Sequence, residues 1–277
     1  MRLTILGTGT ARPTGDSAQS GVLVESDGST ILFDIGSGVA SQVEGRVGAA
    51  NLAGLFVGHF HADHWIDVGP LRYRFPWGEP APRPLPVFLP PGGREKLNHL
   101  AAAIAERPGF FETAFAVTEF ESGQRIEIGP YVIVPRSVGH YVPAFSMEIT
   151  GPGGERVIYA GDMGPSEDVI EMARDAELLI LEATLESGAT DDARRGHIDA
   201  SEAIEHVARS NVLQGLLVHY PSERRSIIGA LCTASGAPVE PALPGMVVDV
   251  EPGLVRIDGG VARVRALSGA PEAGPRG

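Results

Sequence analysis

The chain has 277 residues, 43% of them hydrophobic, and a formal charge of −13 from 22 Lys plus Arg against 35 Asp plus Glu. That length serves one large domain or two small ones, and the acidic balance speaks against a long polyanionic partner, because nucleic-acid grip is mostly phosphate neutralisation by basic residues. Cys232 is the single cysteine, which excludes an intrachain disulfide and a cysteine-rich zinc site; no apolar run approaches a membrane span, so a soluble cytoplasmic protein without a membrane partner is expected.

Taken in chain order, the start is strand-rich: Leu3 to Leu6, Val22 to Glu25 and Thr30 to Asp34. Gly7-Thr8-Gly9-Thr10 between the first two reads as a tight turn, for which glycine supplies the backbone freedom. The apolar run Leu52 to Val57 leads into His59-Phe60-His61-Ala62-Asp63-His64, three imidazoles and one carboxylate in six residues. Imidazole nitrogen and carboxylate oxygen are the donors that Zn²⁺ and its neighbours take in hydrolytic sites. In extended chain, period-2 alternation points His59 and His61 the same way, so they can share one ion. Asp63 and His64 fall where an amphipathic helix begins (Trp65, Ile66, Val68, Leu71) and suit a second ion.

Further along, the proline-rich stretch from Trp77 to Pro86 reads as a loop over the site or a rigid connector. His140 follows the strand from Tyr131 to Val138, Asp162 follows Arg156 to Ala160, and His219 follows Leu213 to Val218. Each ends a predicted buried strand, where open sheets place ligands. Asp162, with two oxygens, is the best candidate to bridge two cations. Glu171 to Asp175 and Ala200 to Ser210 read as helices, the second capped by Asp199 or Ser201. His99 and His206 lie in helical patterns as solvated or packing residues. Strands recur at Met246 to Val250 and Leu254 to Ile257. Without a linker-like break, residues 1–267 read as one domain and 268–277 as a disordered tail.

Five ordered landmarks, Leu32-Phe33-Asp34-Ile35-Gly36, His59-x-His61-x-Asp63-His64, His140, Gly161-Asp162 and His219, resemble the metallo-β-lactamase fold superfamily of hydrolases over nearly the whole chain. The resemblance implies an α/β fold, an αββα sandwich of two mixed sheets flanked by helices with the metals at one edge. It also implies that His59, His61 and His140 hold one ion, that Asp63, His64 and His219 hold the other, that Asp162 bridges them, and that Asp34 orients a ligand from behind. Within the superfamily the chain is similar to the ribonuclease Z branch in Leu6-Gly7-Thr8-Gly9 with Pro13, in Glu182-Ala183-Thr184 and in Gly196-His197. Two departures stand out. Leu181 replaces a histidine of that branch, removing any proton relay from the position, and residues 141–161 leave no room for the long arm with which ribonuclease Z grips transfer RNA. Transfer RNA binding is therefore doubtful.

Two cations roughly 3.5–4 Å apart can hold a nucleophilic hydroxide between them. Asp63, His197 and Glu182 are the expected catalytic residues, with His197 protonating the leaving group and Glu182 hydrogen-bonded to it. The expected function is a dinuclear hydrolase using two divalent ions, Zn²⁺ first with Mn²⁺ or Fe as alternatives. Its expected activity is phosphodiester cleavage on small-molecule or short single-stranded substrates. A lactonase, thioesterase or other acyl-ester hydrolase, and a non-catalytic metal-containing sensor, are the rival readings; a homodimer is left open. Phe60, Trp65, Phe75, Trp77, Tyr141 and Phe145 are candidates to line a pocket, with Trp65 and Phe75 better read as core. Arg72, Arg74 and Arg83 read as solvated surface arginines.

Overall fold

The computed structural model describes residues 1–75, 83–105, 107, 109–186, 195–258 and 262–265. The tail at 268–277, Trp77 and the first half of the proline-rich stretch lie outside the described residues. Six strands of one sheet come first: β1 (Arg2–Gly7), β2 (Gly21–Ser26), β3 (Ser29–Phe33), β4 (Leu52–Phe56), β5 (Leu85–Leu89) and β6 (Phe115–Glu119). The middle of the chain builds a second sheet from β7 (Ile126–Ile128), β8 (Tyr131–Val138), β9 (Ala144–Thr150), β10 (Arg156–Tyr159), β11 (Leu178–Glu182), β12 (Gln214–Val218) and β13 (Val239–Pro241). The chain then returns to the first sheet with β14 (Val247–Glu251), β15 (Leu254–Ile257) and β16 (Arg263–Val264). The first sheet runs β16-β15-β14-β1-β2-β3-β4-β5-β6 and the second β13-β12-β11-β10-β9-β8-β7. Both are mixed: β3 to β6 and β10 to β13 pair in parallel, and the other pairs are antiparallel.

Alternation along single strands explains why the sheets stack. In β1 to β3, Leu3, Ile5, Val22, Val24, Ile31 and Phe33 face the second sheet, where they meet Tyr159, Leu178, Ile180 and Val218. Leu6, Leu23 and Leu32, of the opposite parity, face outward. They are covered by α1 (Val39–Arg46), α2 (Ala62–Trp65), α3 (Val68–Arg72) and α4 (Gly93–Ile104). On the far side α5 (Glu167–Met172), α6 (Ala200–Ser210) and α7 (Arg225–Ser235) cover Ile158, Leu179, Leu181 and Leu217. The result is the four-layer αββα sandwich, and each fully buried Leu, Ile or Phe in it contributes about 1.5–3 kcal/mol. No helix among the described residues is long and apolar enough to cross a membrane.

Three local expectations are corrected. The helix after Asp63 is two short ones, because Pro70 has no N–H to continue the ladder and Asp67 turns aside to accept from Gly38 N and Ala40 N at 2.9 and 3.0 Å. The helix expected over 171–175 starts earlier, at Glu167, where the Ser166 side chain accepts from Val169 N, and it ends before Asp175, which has φ +56°. Arg72 is not a surface residue. It is 1% exposed, its Nε donates to Phe110 O at 2.7 Å and its guanidinium carbon stands 4.2 Å from the Phe110 ring centroid.

Candidate metal centre

Most candidate ligands sit at or just beyond a strand end on one edge of the sandwich. His59 and His61 follow β4, His140 follows β8, Asp162 follows β10, Glu182 ends β11 and His219 follows β12. His61 has extended backbone (φ −74°, ψ 143°) before α2 carries Asp63 and His64 into the site. Close backbone contact fixes this entry. Ile35 N donates to His64 O at 2.7 Å, and a Cβ at Gly36 would stand 2.0 Å from Asp63 O. Only glycine fits there.

The side chains form three groups: His59, His61, His140 and Asp162, and Asp63, His64, His219 and Asp162, which share one carboxylate, and Glu182, His197 and His219, which adjoins the second through His219. In each, the donor atoms lie within 4.8 Å of one another. His140 Nε2 stands 3.0 Å from His61 Nδ1, and His219 Nε2 stands 3.0 Å from Asp63 Oδ2 and 3.5 Å from Asp162 Oδ2. His59 Nε2 and Asp162 Oδ1 are buried with no hydrogen-bond partner among the described residues. Leaving such atoms unpaired costs about 1–3 kcal/mol each. These orphaned donors of nitrogen and oxygen type, converging on one place, fit divalent cations, and either group that contains Asp162 could hold one.

The rings are oriented from behind. Asp34, at φ +57°, takes His64 Nδ1 at 2.7 Å, Tyr159 Oη at 2.7 Å and Gly58 N at 2.7 Å. His140 Nδ1 donates to Gly196 O at 2.6 Å, and His219 Nδ1 lies 2.8 Å from Thr184 Oγ1. Burial, with the His64 ring adding to it, holds His59 well below the ordinary histidine range, in the neutral form a ligand needs. Burial opposes charge on Asp162, yet the His219 and His64 rings outweigh it and keep its carboxyl well below the usual range. In the third group, His197 Nδ1 meets Glu182 Oε1 and Oε2 at 2.9 and 3.0 Å. Burial pushes the Glu182 carboxyl up, and the hydrogen bond to His197 pulls against it. The Tyr141 ring closes this corner, 5.0 Å from the His140 ring and 5.6 Å from that of His197.

Residues 29–220 match the family model of the beta-lactamase superfamily domain. The chain belongs to the beta-lactamase superfamily. Within it, the chain is similar to the "Probable metallo-hydrolase YhfI" of Bacillus subtilis, 28% identical over 80% of this chain and 87% of that protein. The crystal structure of YhfI superposes with a TM-score of 0.79 at 26% identity, over 90% of this chain and 99% of the other. Ribonuclease Z of Methanosarcina acetivorans is 26% identical over 80% of this chain and 88% of its own length. This is a metallo-hydrolase fold of the superfamily with ribonuclease Z-like affinity, which implies divalent metal ions.

Against that superfamily background, the structure brings all seven expected ligands together, with Asp34, Glu182 and His197 alongside. Parity explains Leu181. Alternate residues of β11 face opposite ways, so Leu181 packs under the outer helices and Glu182 faces the site. Trp65 and Phe75 are core, Phe145 lies between the sheets, and Phe60 is half-buried against Trp65. His99 is exposed, whereas His206 is buried and accepts from Ser166 N at 3.1 Å. Gly7 is a place of close approach, since a Cβ there would meet Gln19 O at 1.8 Å. Sequence reasoning passed over Tyr159; its signal is its place at the inward-facing end of β10, one step from Ala160-Gly161-Asp162.

Proposed function

We propose that the chain is a two-ion phosphodiesterase acting on small or short single-stranded substrates. His59, His61 and His140 would hold one ion, Asp63, His64 and His219 the other, and Asp162 both. The observation that carries this reading is the membership of Asp162 in two donor groups, with a buried oxygen that no hydrogen bond satisfies. When bound, such a pair of ions acidifies water and places positive charge on the electrophile.

The chain's own side chains supply the proton chemistry. Glu182 holds His197 by Nδ1 and stabilises the imidazolium, leaving Nε2–H to protonate a departing oxygen. The His197 ring lies nearly parallel to that of His219, 6.0 Å away, so the acid stands beside the second group. Similarity to a protein named ribonuclease Z favours phosphodiesters. The net charge of −13, and the filling of residues 141–161 by β9 and β10, favour small substrates over folded RNA.

Hydrolysis of bis(p-nitrophenyl) phosphate, compared with simple lactones and thioesters, tests the reading. Turnover of the phosphodiester with weak acyl turnover is expected. Turnover of acyl substrates alone would move the chain to the lactonase or thioesterase class, and none at all would support the sensor.

A further inference from the structure

Three imidazoles at the centre have Nδ1 engaged by partners of different chemistry: the Asp34 carboxylate for His64, the Gly196 carbonyl for His140 and the Thr184 hydroxyl for His219. The third is the most informative, because the hydroxyl's single proton is already committed. Thr184 Oγ1 donates to the His219 carbonyl oxygen at 3.0 Å. Toward His219 Nδ1, 2.8 Å away, it can then only accept. His219 is thereby set as the Nδ1–H tautomer, and its Nε2 lone pair faces Asp63 Oδ2 at 3.0 Å and Asp162 Oδ2 at 3.5 Å. In that tautomer Nε2 is free to join Asp63 and Asp162 around a shared cation, in place of the ring proton that would otherwise bridge it to Asp63.

The same hydroxyl also steadies the backbone. His219 has φ +50°, a region uncommon for a residue with a side chain, and Thr184 grips both its ring and its carbonyl. Thr184 is itself anchored, since Arg224 Nη1 donates to its carbonyl oxygen at 3.0 Å. Arg224 lies five residues after His219, so the contacts close a loop from Thr184 to His219, along the chain to Arg224, and back.

We propose that Thr184, anchored by Arg224, is the positioning residue that fixes the tautomer and aim of His219 toward the second ion. The inference rests on the two-ion reading. Zn²⁺ is titrated into the metal-free full-length chain against a chromophoric chelator, for the parent, Thr184→Val and Thr184→Ser. Thr184→Val keeps the shape and loses the acceptor; it should bind one of its two ions roughly tenfold more weakly, the lower end of what losing an orienting partner costs. Thr184→Ser should restore parental binding. Equal binding of both ions by parent and Thr184→Val would overturn the role of Thr184 alone, whereas a parent that binds fewer than two ions would overturn the two-ion reading itself. Melting in excess chelator shows whether Thr184→Val still folds. If it does not, Arg224→Met takes its place, with weaker binding of one ion expected and unchanged binding of both overturning the proposal.

Discussion

The buried Glu182 carboxylate holds His197 by Nδ1, and although these two form a third set of donor atoms with His219, His197 belongs to neither group that contains Asp162, the shared carboxylate of the two-ion reading. His197→Ala should therefore leave metal content unchanged and slow phosphodiester turnover by roughly 10²- to 10⁴-fold, the usual span for a general acid. Elemental analysis and initial rates on the same sample check both halves. Loss of metal in step with activity would make His197 a ligand. Gly36 is a residue of a different kind, chosen for space. Its alanine variant must displace Asp63 O, 2.0 Å from the new Cβ, and should lose about 1–3 kcal/mol of stability in urea melts. The seven candidate donors were legible in the sequence because metal chemistry admits few residue types and five of them, His59, His61, His140, Asp162 and His219, follow strand ends. Tyr159 was not, because its partner Asp34 lies 125 residues away and an aromatic at a strand end ordinarily means core. Arg72 was misread for a related reason: charge argues for the surface until a carbonyl and an aromatic ring are found to enclose it.

Among the elements, α6 shows how a loop residue is held by the helix after it. Asp199 caps α6 by accepting from Ser201 N and Glu202 N at 2.7 and 2.9 Å, and the Glu202 side chain accepts from Asp199 N in return. Asp199→Ala should cost about 1 kcal/mol in denaturant melts. Because His197 lies two residues before the cap, turnover should fall with stability; full activity in the variant would show that the loop is held from elsewhere. On α7, Cys232 is buried, and burial pushes its thiol up to about 11, so thiolate forms only as pH rises toward that value. Labelling by a disulfide reagent at pH 8 should be slow in the native chain and fast in denaturant. Equal rates would mean that α7 opens. Periodicity revealed most strands and α6, but helix starts and breaks hang on single residues. Ser166 and Pro70 decide α5 and the α2–α3 break, and each is one hydrogen bond that a hydrophobic pattern does not register.

For the whole molecule, the centre gathers charge that folding alone leaves poorly matched. Asp34, Asp63 and Asp162 are buried among five imidazoles, four of them buried too, with orphaned atoms on His59 and Asp162. Ions bound there act as folding ligands, since affinity for the native state adds to its stability. The sandwich draws its contacts at this edge from both sheets, and Phe145 N donating to Gly58 O at 3.1 Å ties one to the other. The αββα architecture was accessible only through the resemblance, because alternation and periodicity give mixed α and β without saying how two sheets face each other. The most direct test of the account is metal content by elemental analysis for the parent chain and Asp162→Ala. The account predicts two divalent ions per parent chain and loss of both in the variant. A parent with a single ion, or a variant that keeps two, would contradict it.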